Sequence, residues 1–150
     1  MLFNTSLWLH IIGISLMAGV TVADFVLTRK FWVLYAHNPQ EGILVRKITN
    51  RLPVLIIAGT ALILLSGVGM MIATRGVFDS FLWFRIKMGM VLLVILNAII
   101  FGRRQQTQLN KLLKQEAPSL SGIKKNLNTF HITQLVLFAI IYLLSTFKFN

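Results

Sequence analysis

The chain has 150 residues, 56% of them hydrophobic and only 13% Asp, Glu, Lys or Arg, about half the charged share of an ordinary soluble domain. So few charges cannot dress a water-facing surface, and the length allows one domain with little left for a soluble head. The 15 Lys and Arg outweigh 4 Asp and Glu for a net charge of +11, and there is no cysteine, which excludes disulfides, thiol catalysis and thiolate metal sites.

The first apolar run, about 7–27, suits a transmembrane helix and is too long for the core of a signal peptide. It reads as a retained first helix that closes on Thr28-Arg29-Lys30. Phe31, Trp32 and Tyr35 follow, rings suited to the headgroup level. Asn38-Pro39 ends the helix and leaves His37 as a solvated loop residue. Residues 41–51 mix Ile43, Leu44, Val45 and Ile48 with Arg46, Lys47 and Arg51, a pattern suited to lying along the bilayer surface.

Asn50 is placed to cap a second span, 52–73, with Pro53 in its first turn. Gly59, Gly67 and Gly69 give that span sites where another helix, or a flat ligand, can approach closely. Residues 75–80 form a short turn that makes the third span, 81–101, its antiparallel neighbour. That span carries Arg85, Lys87 and Asn97. It should continue into water as an amphipathic helix through Leu109, Lys111, Leu112, Leu113 and Lys114 until Pro118 stops it. Ser121 is placed to cap a fourth helix, apolar over about 130–147. The expected class is all-α: an integral membrane four-helix up-down bundle forming one transmembrane domain.

Charge sets the orientation. Arg29, Lys30, Arg46, Lys47, Arg51, Arg103, Arg104, Lys111, Lys114, Lys124 and Lys125 fall on one side, against Arg75, Arg85, Lys87 and Lys148 on the other. The loops at about 30–51 and 102–125 are then cytoplasmic and both termini outside, in a bacterial inner membrane. The same asymmetry accounts for the basic charge without nucleic acid, leaving the lipid bilayer as the first partner and a homo-oligomer open.

Ionisable groups inside a span cost about 2.5–3.5 kcal/mol each and therefore face the bundle interior. Helical spacing gathers them into seams: His10, Gly13, Met17, Thr21 and Asp24 on the first span; Lys87, Met90, Val94, Asn97, Phe101 and Arg104 on the third; His131, Gln134, Phe138, Tyr142 and Ser145 on the fourth. Arg85 points away from Lys87 and snorkels to the interface. By depth, His10, Ser66, Met70, Lys87, Tyr142 and Ser145 belong to an outer layer, and Asp24, Asn97, His131 and Gln134 to a cytoplasmic one. The bland readings stand beside these. Asp24 can pair with Arg29 or Lys30 or reach the headgroups, His131 can be satisfied by a carbonyl, and His10 with Lys87 can merely hold helices in register.

Leu9-His10-Ile11-Ile12-Gly13, followed by Ala18-Gly19 and Arg29, resembles the first helix of a group of small bacterial four-span proteins. The group includes HemJ-type protoporphyrinogen oxidases and the membrane part of copper-resistance protein D. Trp83-Phe84-Arg85-Ile86-Lys87-Met88, running on to Phe101 and Arg103-Arg104, resembles the third helix of the HemJ type. Thr28 stands where that pattern has proline. The resemblance implies that His10 ligates haem b and that Lys87 is a companion residue for handling the tetrapyrrole.

Three functions follow as expectations. The first is a haem- or tetrapyrrole-binding redox protein, and if an enzyme then a membrane oxidoreductase, with Lys87 serving a propionate or a quinone oxygen. A clasp by His10 and His131 is disfavoured, since their backbones would differ in height by roughly 12 Å. Met70 or Met90 is the candidate second ligand. The second is transport, of copper through Met70, Met71, Met88 and Met90 with His10, or of a small molecule driven by protons at Asp24. The third is a non-catalytic assembly subunit. Nothing resembles a hydrolase motif.

Overall fold

Pro39 and Pro53 set the breaks in the first half of the chain. Neither has an N–H to donate, and in the computed structural model, which describes residues 1–113 and 120–147 and leaves aside the side chains of residues 78 and 79, helices restart at both. Helix α1 is Leu2–His37, α2 is Pro39–Thr49 and α3 is Leu52–Ala73. A 3₁₀ turn, Val77–Ser80, precedes α4, Leu82–Leu96. A π-helical turn over Asn97–Gly102 leads directly into α5, Arg103–Leu112, and α6 is Ser121–Thr146.

Four stretches are long and apolar enough to cross a membrane: Leu2–His37, Pro39–Ala73, Leu82–Leu112 and Ser121–Thr146. No strand occurs among the described residues. The protein is therefore all-α, of the four-helix membrane class that its composition predicts, and a multi-pass membrane protein. The expected stop at Pro118 and the charges of Lys114 and Lys148 lie outside the described residues.

The chain divides into two compact units, Met1–Phe84 and Arg85–Asn150. In the first, α2 and α3 together run antiparallel back along α1. Tyr35 lies against Gly42, Met17 and Gly13 against Gly59, His10 by Gly67, and Ser6 by Gly69. The surface-lying helix expected at 41–51 is thus a continuation of this hairpin: α2 buries Gly42, Arg46 and Thr49. At 36 residues, α1 is about 54 Å long against a hydrocarbon core of about 30 Å, so the hairpin extends well beyond the lipid.

Two expected caps differ. Asn50 closes α2, its N–H reaching the Arg46 carbonyl at 3.0 Å, and Arg51 precedes α3 without a side-chain cap. Ser121 is the first residue of α6 rather than its cap, which is Leu120. The residues at both junctions are already near-helical in backbone angle, so neither entry has the extended residue that a capping side chain needs. His37 ends α1 instead of lying in a loop; it is exposed, and its Nδ1–H donates to the Val33 carbonyl at 3.0 Å. Asn38 is the true cap there, accepting from the Gln40 N–H at 3.1 Å and donating to Glu41 Oε1 at 3.0 Å.

In the second unit the π turn and α5 pack against α6, with Asn97 bonded to Gln134 and Gly102 against Phe130. Val94, Leu109, Ile123 and Leu127 are its buried apolar residues.

Candidate functional site

The inward face of α1 is the expected seam. Ser6, Gly13, Met17, Val20, Thr21, Asp24, Thr28 and Phe31 are buried, at spacings of three, four and seven apart from the adjacent Val20 and Thr21, which keeps one stripe against a partner helix. Helices α1 and α3 approach closely at Gly13 and Gly59, where a β-carbon on Gly13 would lie 3.1 Å from the Gly59 carbonyl oxygen. Backbones meet there with no side chain between them.

One turn outward, His10 is half-buried. Its Nδ1 lies 3.2 Å from the Ile63 carbonyl oxygen and 2.9 Å from Ser66 Oγ. Ser66 Oγ–H in turn donates to the carbonyl of Leu62 or of Ile63. A carbonyl oxygen can only accept, so a bond to Ile63 needs the hydrogen on Nδ1, the tautomer that leaves the lone pair on Nε2. Ser66 supports the same tautomer, because its own hydrogen is spent on a carbonyl. Gly67 faces the edge of the ring, where a β-carbon would stand 3.9 Å from Cε1. The sequence puts Ser66 in the layer of His10; only the helix register shows that the two bond. Met70 lies one turn beyond Ser66 on the same helix and is half-buried.

Asp24, 2% exposed, is paired differently from expectation. Arg29 is exposed and stacks on Phe25, 4.6 Å from the ring centroid, and Lys30 is exposed. The cation coupled to Asp24 is Arg46, 6% exposed. Sequence reasoning missed this partner. Its one signal is the spacing Gly42, Arg46, Thr49, a single charge flanked by small residues on one helical stripe.

The remaining candidates belong to the second unit. Lys87 and Met90 are half-buried, three residues apart on α4, while Arg85 is exposed, as expected for an outward residue. Asn97 Nδ2–H donates to Gln134 Oε1 at 2.7 Å, and Gln134 is 3% exposed. His131, 1% exposed, donates from Nδ1 to the Leu127 carbonyl at 2.8 Å. Gln134→Leu is expected to cost about 0.6–1.7 kcal/mol, the range for interhelical hydrogen bonds in membranes, read as a lower midpoint in detergent thermal unfolding.

Two seams need correction. Phe101 is 55% exposed and Arg104 is exposed, while Gly102, Gln105 and Leu109 are buried. The π turn is the reason: Arg103 N–H bonds to the Ala98 carbonyl five residues back, so the turn holds one extra residue and rotates everything beyond it. On α6, Tyr142 is 71% exposed; His131, Gln134 and Phe138 keep to the inward side, with Ser145 half-buried.

Among the described residues no three His, Asp or Glu side chains gather as a metal centre. Met71 is half-buried and Met88 is 40% exposed. Comparison with known protein families, characterised proteins and solved structures gives no match, so any function must be argued from these residues.

Proposed function

We propose that the protein binds a haem or related tetrapyrrole in a bacterial inner membrane, with His10 Nε2 as the iron ligand and a redox role for the bound group. The observation that supports this most is the pair of contacts at His10 Nδ1, with the Ile63 carbonyl and the Ser66 hydroxyl. A ligating imidazole needs one nitrogen as an electron-pair donor, and its other N–H is usually held by a carbonyl or hydroxyl that fixes ring orientation and raises basicity. His10 has that arrangement with Ile63 and Ser66. The donor set within the first unit is an imidazole with a thioether at Met70, which suits haem iron, and Gly67 presents no side chain to the edge of the ring.

Bound haem would supply one-electron chemistry, while Ile63 and Ser66 orient the imidazole. In this reading the positive-inside rule makes the basic loops cytoplasmic and leaves both termini outside.

The test is an absorption spectrum of detergent-purified protein from haem-supplemented cells. A Soret band is expected in wild type, in His37→Ala and in His131→Ala, and its loss in His10→Ala. A colourless wild type that gains no band on haem titration overturns the reading and favours an assembly subunit.

A further inference from the structure

In the second unit both helices change character at one level. Exposed side chains are apolar through Ile99, Ile100 and Phe101, and the next exposed residues are Arg103 and Arg104. On α6, exposed Val136 and Ile132 give way toward the N-terminus to Thr129, Asn128, Asn126 and Lys125. The Phe130 ring against Gly102 ties the two levels together. The hydrocarbon edge therefore crosses this hairpin at Gly102 and Phe130. Arg103 and Arg104 lie within about 3 Å of helix rise beyond it, the depth at which lipid phosphates begin.

The charge there is one-sided. The described residues of this unit include no Asp or Glu. Lys111, seven residues after Arg104, continues the same exposed stripe about 10 Å further out. The first unit differs, since it holds Glu41 and turns Arg46 inward to Asp24.

We propose that this surface binds the headgroups of anionic phospholipids, with Arg103 and Arg104 as the phosphate ligands and Lys111 and Lys125 as outlying charges. Guanidinium forks match phosphate oxygens bidentately, and two of them stand exposed at successive positions of one helix. A lipid is the fitting occupant because the arginines adjoin exposed Ile99, Ile100 and Phe101. One molecule can thus offer phosphate to the first and acyl chain to the second.

The test titrates the full chain in neutral-detergent mixed micelles with fluorescent phosphatidylglycerol or phosphatidylcholine. Wild type is expected to prefer phosphatidylglycerol. Arg103→Gln with Arg104→Gln should lower that preference roughly ten- to thirtyfold, whereas Lys47→Gln with Arg51→Gln, the same charge removed from the first unit, should leave most of it. Inorganic phosphate at matched ionic strength should not displace the lipid. Equal binding of the two lipids, equal losses in the two double variants, or displacement by phosphate would each overturn the proposal.

Discussion

Arg46→Met is expected to lower stability by about 3–5 kcal/mol, and Asp24→Asn by a similar amount. Each leaves a buried charge without its counter-charge, and that uncompensated charge, more than the lost attraction, sets the cost. The pair is 2% and 6% exposed, so water can do little to solvate the survivor. Removing both charges should behave otherwise. Asp24→Leu combined with Arg46→Met replaces a desolvated ion pair by apolar contact, which is commonly neutral or stabilising, so the double variant should recover most of the loss. Thermal unfolding in detergent, arranged as a double-mutant cycle, reads this. Single losses under about 1 kcal/mol that simply add would show that the two charges do not depend on each other.

Gly59→Leu is expected to separate α1 from α3. Even a β-carbon at Gly59 would stand 3.2 Å from the Gly13 carbonyl oxygen and from the backbone nitrogen and Cβ of Met17. Two of those three are backbone atoms and cannot rotate aside. Overpacking in a well-filled interior costs about 1–3 kcal/mol, and here relief requires moving a whole helix, so the loss should reach or pass the upper figure. A cross-link makes the separation visible. Gly69 and Ser6 face each other with a built β-carbon 3.4 Å from Ser6 Cβ, close to disulfide geometry, and the chain has no other cysteine. Ser6→Cys with Gly69→Cys should oxidise efficiently in the parent background and poorly when Gly59 is Leu. Undiminished cross-linking would contradict the crossing.

The four spans were legible because lipid demands long apolar helices and little else in a chain can imitate them. The α1 seam was legible too, since a helix without interruption keeps its period from Ser6 to Phe31. On α4 the same arithmetic holds through Asn97 and then fails: a π turn has no composition of its own, and one extra residue exchanges Phe101 for Gly102 on the inward side. Arg46 was hidden for another reason. Its helix has the alternation of a surface-lying segment, and only the direction in which α2 runs along α1 decides that its guanidinium meets a carboxylate 22 positions earlier in the chain. At His10 the residue types were readable, but the bond to Ser66 is a matter of register, which no single-sequence pattern supplies.

The glycine crossing has a consequence for traffic along the first helix pair. Where Gly13 and Gly59 touch, neither a water molecule nor a hydroxyl can stand between the two helices, so the contact works as a gasket. Between these two helices, then, no file of water joins the imidazole of His10 on one side of the crossing to the carboxylate of Asp24 on the other.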